Sequence, residues 1–422
     1  MSNSRPIIFY GWYNVLTTFF GMALSYAMFT VFAFGTLVKP LENEFGWQRG
    51  ELSFALTMTN IAVVIASPLL GFIIDRTGVR RILIPSIILM GLAVLSMTLL
   101  TGNIWHFYLM YLLIPILGAG TLPQSYSRTI IGWFKRRRGL ALGIALSGFG
   151  VGAAFIPSFA QVMIDSFGWR AAYIGFAVAI FCISLPMTFF LLKETPEEMN
   201  LLPDGESNIQ NTNTNDHNIG LSGRDAAKTK PYWLILSSFF LVGIGITSIL
   251  AHLVPMLIDR GVAPTTAALC MTSLGIGLIF GRILSGYLMD RFFAPYITAI
   301  FLLGLFIGIV ILALGTKGGF VFVAAVFVGL ATGAEISEIA YICSRYFGQK
   351  SFAQIYGMMF AAFQLGSAIG APVMGFYYDS VGNYIGALWF IAIIVLIGTI
   401  LIARLEPYPN LDKKMGRRKY TP

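Results

Sequence analysis

Ionisable side chains are scarce inside the long apolar stretches of this 422-residue chain, and the few that stand there are its candidates for binding and proton chemistry. A charge at the middle of an apolar span costs about 2.5–3.5 kcal/mol or more on insertion scales, so each one marks a functional site by default. Arg282, within Leu278-Ile-Phe-Gly-Arg282-Ile-Leu-Ser-Gly286, lies two turns before Asp290. A buried guanidinium calls for a carboxylate, which either a small anion supplies bidentately or a protein acid supplies permanently. Gln124 and Tyr126 precede Trp133 by nine and seven positions. Their amide and phenol can donate to a carboxylate or a neighbouring hydroxyl, or hydrogen-bond between helices. His252 sits toward the end of its span, where a group titrating near physiological pH can gate, sense protons or simply be solvated. Glu338 and Tyr341 are one turn apart and share a helix face. Arg128 is expected to face Glu335 or Glu338, giving a pair that makes or breaks during a conformational cycle, and a desolvated carboxyl there would carry a proton.

The elements that position these groups follow from composition. The chain is 57% hydrophobic and only 11% charged, with a mean hydropathy of +0.77, far from a soluble domain, where about 25% of residues are charged. Its 45 glycines suit helices that approach closely without a hydrophobic drive between them. A spanning helix needs about 20 mostly apolar residues. Twelve such segments are expected, at roughly 11–38, 50–74, 82–101, 106–133, 139–163, 171–193, 232–257, 265–289, 295–315, 319–346, 352–377 and 383–404. The fold class is therefore an all-α membrane protein of two six-helix bundles in a lipid bilayer.

The expected domains are residues 1–193, a polar linker at 194–230, residues 231–405 and a tail at 406–422. A net charge of +9 would suggest nucleic acid in a soluble protein. Here the basic residues gather in clusters such as Lys135-Arg136-Arg137-Arg138, which predicts cytoplasmic termini by the positive-inside bias and no nucleic-acid partner. Cys182, Cys270 and Cys343 fall within apolar stretches as packing thiols, so no metal or disulfide framework is expected. The residues show neither a phosphate-binding loop nor a Gly-x-Ser-x-Gly elbow, and neither a cofactor nor an enzyme is expected.

The halves resemble one another. Gly71-Phe-Ile-Ile-Asp75-Arg76 closes the second span and Gly286-Tyr-Leu-Met-Asp290-Arg291 the eighth; Trp133-Phe134-Lys135 leaves the fourth and Tyr346-Phe347-Gly348 the tenth. This points to duplication, common in carriers. The stretch Gly71-Phe-Ile-Ile-Asp75-Arg76-Thr-Gly78-Val-Arg80-Arg81 resembles the loop signature of the major facilitator superfamily. Gly11-Trp12, Phe45-Gly46-Trp47-Gln48-Arg49 and the run from Trp133 to Gly148 resemble its monocarboxylate transporter and oxalate/formate antiporter-like group.

The resemblance implies that Arg282 is the anion-binding charge and that Gln124 and Tyr126 face a central cavity. It also implies that Asp75 with Arg76, Arg80 and Arg81 forms a conformational clamp at the cytoplasmic edge, with Asp290 and Arg291 as a weaker copy. Topology-setting charge is the plainer reading of the same residues. One departure is that the first span carries Ser25, Tyr26, Met28 and Thr30 where the monocarboxylate carriers place a lysine. The eleventh span reads Ala361-Ala-Phe-Gln364 where oxalate exchangers have one. A single carboxylate is thus expected rather than a dianion.

The expected function is secondary transport of a monocarboxylate-like anion with a coupled proton, by a monomer in a bacterial inner membrane, through rocking alternating access. The alternatives are a proton-coupled exporter of drugs, siderophores or metabolites, and a transporter-like membrane receptor.

Overall fold

The computed structural model describes residues 9–205, 220–316 and 318–409. The interior of the expected linker, the tail from residue 410 and the first eight residues lie outside that set. Among the described residues sixteen α-helices follow in order: α1 Gly11–Ala23, α2 Phe34–Phe45, α3 Arg49–Thr77, α4 Arg80–Ser96, α5 Ile104–Leu117, α6 Pro123–Trp133, α7 Arg138–Phe167, α8 Trp169–Ala179, α9 Leu185–Leu191, α10 Gly223–Ala227, α11 Lys230–Asp259, α12 Pro264–Met289, α13 Ala294–Ala313, α14 Gly319–Phe347, α15 Phe352–Val381 and α16 Ile385–Ala403. Among the described residues the only strand-like pairing is an isolated bridge between Gly220 and Gly348.

Among the described residues, eleven helical stretches are long and apolar enough to cross a membrane, and Ile104–Leu117 is a shorter apolar helix. The expected fourth span is interrupted. Pro115, Gly118, Gly120 and Pro123 fall within a few residues of one another, and the chain passes from α5 through a short 3-10 turn at Ala119–Thr121 into α6. A proline lacks the N–H and crowds the preceding turn, so the helix stops and restarts there. The first span is likewise α1, a π-helical turn Met28–Phe32 and α2, and the sixth is α8, a π-helical turn Ile180–Ser184 and α9. Helix ends are set by glycine in the left-handed region at Gly46 (φ 71°) and Gly382 (φ 74°), a conformation open to residues without a Cβ.

The chain divides into two units, Met1–Ala66 with Phe72–Asn215, and Ser67–Gly71 with Asp216–Pro422. In the first, α1 packs along α7; in the second, α11 packs along α15, and α14 packs against α12 and α13.

Each unit is strapped by the segment that follows its last long helix. In the first unit Trp133 donates from Nε1 to the Lys193 carbonyl at 2.9 Å, and Lys193 exchanges backbone bonds with the Asn14 amide at 3.0 and 3.1 Å. The Val79 N–H, at the start of α4, donates to Glu194 Oε1 at 2.8 Å. In the second unit Tyr346 donates its hydroxyl to the Glu406 carbonyl, and the Ala294 N–H, at the start of α13, donates to the Tyr408 hydroxyl at 3.0 Å. Val79 and Ala294 each stand four residues after Asp75 and Asp290. Each strap therefore satisfies an orphan N–H at the opening of a helix.

Candidate functional site

The second unit brings buried ionisable groups together on three helices. α12 and α14 can touch backbone to backbone because glycine faces carbonyl at the crossing. A Cβ on Gly333 would collide with the Leu278 carbonyl, and one on Gly281 with that of Leu330. That closeness lets Arg282, 1% exposed, donate from Nε to the Gly333 carbonyl at 2.7 Å. With Nε anchored, the plane of the guanidinium is fixed, and a planar fork of fixed orientation is suited to a carboxylate.

Two groups act electrostatically on Arg282: the Glu335 carboxylate of α14 and the Tyr356 phenol of α15. Glu335 and Tyr356 are themselves buried, and Tyr356 donates its hydroxyl to the Ile336 carbonyl at 3.4 Å. The arrangement brings an acid within electrostatic reach of a buried cation, which is tolerable only where a counter-charge can be supplied.

Glu338 stands one turn further along α14 and is wholly buried. The Thr298 hydroxyl of α13 is set opposite it, yet neither carboxylate oxygen nor that hydroxyl closes a hydrogen bond among the described residues. Tyr341 is buried on the same helix. His252, on α11, shares a hydrogen bond between Nε2 and the Ala371 carbonyl at 3.0 Å and lies 5.5 Å from the Tyr384 ring. Its nitrogen thus ties α11 to α15.

In the first unit the partner of Arg128 differs from the expected one. Arg128 forms an ion pair with Asp75, joining α6 to the end of α3. Asp75 sits near the end of the second span and Arg128 near the same end of the fourth, so the two charges share a depth where each relieves the other's desolvation. The expected convergence of the loop arginines takes another form. Arg80 donates from Nη2 to the Phe189 carbonyl at 2.6 Å, and Arg76 lies over the Phe72 ring at 3.8 Å. Arg81 is exposed. The loop is tied instead by Glu194, which accepts from the Val79 N–H. The second copy keeps one of these contacts: Arg291 lies over the Tyr287 ring at 4.2 Å, the same four-residue step as Arg76 over Phe72.

Gln124 and Tyr126 are both fully buried. Tyr126 packs against α1, where Gly21 leaves room for its hydroxyl, and is close to Ser184. The Tyr126 contact joins α6 to α1 within the first unit. Tyr356, Thr298 and Glu194 were not among the expected residues. A tyrosine in the first turns of the eleventh span was the available signal for Tyr356; an isolated threonine in an apolar helix is too common to single out Thr298.

The profile of the Major Facilitator Superfamily matches residues 18–337 and 256–421. The chain belongs to this superfamily. It is 23% identical over 404 residues to monocarboxylate transporter 11 of Homo sapiens, covering 93% of this chain and 82% of that protein. To monocarboxylate transporter 13 of Rattus norvegicus it is 24% identical over 410 residues, covering 94% of this chain and 90% of that protein. Among solved structures, the proton:xylose symporter XylE matches with a TM-score of 0.77 at 16% identity, over 94% of this chain and 96% of that one. The E. coli fucose:proton symporter FucP matches with a TM-score of 0.67 at 15% identity, over 93% and 97%. These likenesses establish the superfamily's twelve-helix fold, and with the full-length relatives they make the chain a multi-pass membrane transporter similar to the monocarboxylate group.

Proposed function

We propose that this superfamily member is a secondary active carrier of a small monocarboxylate-like anion, coupled to protons. The observation that carries the reading is Arg282, oriented by the Gly333 carbonyl and accompanied by Glu335. A substrate carboxylate takes the place of Glu335 as the counter-charge of Arg282, so binding exchanges one compensated state for another and leaves no lone charge buried. The names of the similar transporters support the substrate class. Residues 1–193 and 231–405 act as the two moving bodies of an alternating-access cycle, with Asp75 and Arg128 stabilising one of its states. The basic clusters support cytoplasmic termini through the positive-inside bias.

The test is uptake of short-chain monocarboxylates into proteoliposomes under an imposed inward proton gradient. Uptake that rises with the gradient and is lost in Arg282→Ala is the expected result; full activity in that variant would sink the assignment. A second reading, proton-driven export of a cationic compound, draws on the two acids Glu335 and Glu338. Competition by organic cations, with none by carboxylates, would favour it.

A further inference from the structure

We infer that Glu338, facing Thr298, is a proton-binding site separate from the Arg282 and Glu335 pair, and that it holds the ion coupled to transport. The coupling role rests on the transporter reading above; the proton site itself does not.

The two acids of α14 live in different surroundings. Glu335 has a cation acting on it, Arg282 from α12, with Tyr356 of α15 nearby and Glu338 acting on it as a like group one turn along. Glu338 is 0% exposed, and the group set against it is an uncharged hydroxyl, Thr298, itself 0% exposed. Both Glu338 oxygens and the Thr298 Oγ1 lack hydrogen-bond partners among the described residues. Among the described residues, no cation from the neighbouring elements acts on Glu338. α13 presents Thr298, Arg282 acts on Glu335, and on α11 Tyr232 lies against Phe347, His252 on Ala371 and Asp259 beside Tyr378. A carboxylate without bonds or a countercharge at that depth is far costlier than a neutral acid. Protonation removes the charge and supplies an O–H that the threonine oxygen can accept.

A metal cation fits less well. Carriers that bind sodium do so with carbonyls freed by unwound helix. α14 and α13 run unbroken through these positions, Gly319–Phe347 and Ala294–Ala313, so their carbonyls are committed to helical bonds. Three side-chain oxygens are too few for a hard cation, which takes about six.

The separation has a mechanistic use. Substrate binds at Arg282 by displacing Glu335, while the proton resides one turn away and is released when α13 and α14 part enough to admit water. Charge compensation and ion coupling then fall to different residues.

The test uses the purified full-length protein and difference infrared spectroscopy across a pH titration, which needs no substrate. A protonated-carboxyl band, shifted in D2O, is expected in the wild type. It should be lost in Glu338→Gln, kept in Glu335→Gln and moved in Thr298→Val, each near-isosteric with the residue replaced. A band unaffected by Glu338→Gln, or removed by Glu335→Gln, overturns the site. So does a wild type without the band whose melting temperature rises on adding sodium chloride but not potassium chloride. In proteoliposomes, Glu338→Gln should keep substrate exchange within about twofold of wild type while gradient-driven accumulation is lost. Accumulation that persists overturns the coupling role alone. Absence of carboxylate uptake by the wild type, with the band present, overturns the transport reading and leaves the proton site standing.

Discussion

Arg282 donates from Nε to the carbonyl of Gly333 at 2.7 Å, so the helix that carries the acid Glu335 also orients the base. A lysine has neither the fork nor a fixed plane. Arg282→Lys is therefore expected to keep the protein folded while lowering uptake at least about tenfold, a change of about 1.4 kcal/mol in transition-state stabilisation.

The charge balance between Arg282 and Glu335 makes a second prediction. Arg282→Ala leaves Glu335 buried without its compensating cation and should cost about 3–5 kcal/mol. Combining it with Glu335→Gln should recover most of that loss. A double-mutant cycle on detergent melting temperatures measures the coupling; additive effects would show that the two groups do not compensate one another.

Gly333→Ala tests the close approach that makes the anchor possible. The new methyl meets the Leu278 carbonyl, and overpacking of this kind costs about 1–3 kcal/mol. The melting temperature should fall and uptake should fall with it; an unchanged variant would mean that α12 and α14 adjust freely.

The ion pair of Asp75 and Arg128 is partly shielded, with side-chain exposures of 8% and 22%. Its loss in Asp75→Asn should cost about 1–3 kcal/mol, between the values for exposed and buried pairs. The exchange Asp75→Arg with Arg128→Asp should restore part of both stability and uptake. Failure of the exchange where each single variant is also inactive would point to other partners of Asp75 as the important ones.

Tyr408→Phe removes the acceptor for the Ala294 N–H and should cost about 1 kcal/mol. Burial pushes the Tyr408 phenol up from its ordinary value, opposed by the Ala294 N–H and by Arg345. Because the folded value is raised, this contribution is present below the unfolded value of about 10 and lost as pH rises through the folded one. Wild type should thus lose melting temperature more steeply than Tyr408→Phe in alkaline buffer. Parallel slopes would show that the phenol is ionised equally in both states.

Hydropathy alone made the bundle architecture legible, since no soluble fold hides so much apolar surface. It did not reveal the break between α5 and α6, because no charged residue interrupts Gly118 to Leu122 and only Pro115, Gly118, Gly120 and Pro123 hint at it. Arg282 was readable because a lone guanidinium in an apolar helix has few explanations. Its neighbours were harder: Glu335 was expected opposite Arg128, whereas Arg128 pairs with Asp75 and Glu335 lies beside Arg282. Depth is encoded by position along a span, and Asp75 and Arg128 could have been matched on that basis. Rotation about the helix axis decides whether Glu335 meets Arg282, and it is set by glycine contacts between α12 and α14 that no single segment reveals. Tyr126 shows the same limit, for its room is made by Gly21 on a different helix.

The strap at Leu405–Tyr408 changes how alterations at the carboxyl end should be read. Shortening the chain to residue 404 would remove the hydroxyl that meets the Ala294 N–H and the carbonyl that accepts from Tyr346. A transport defect in such a deletion would then report a loosened bundle rather than a missing regulatory tail. A fluorescent reporter or purification handle is best joined beyond residue 409, where it leaves that clasp in place.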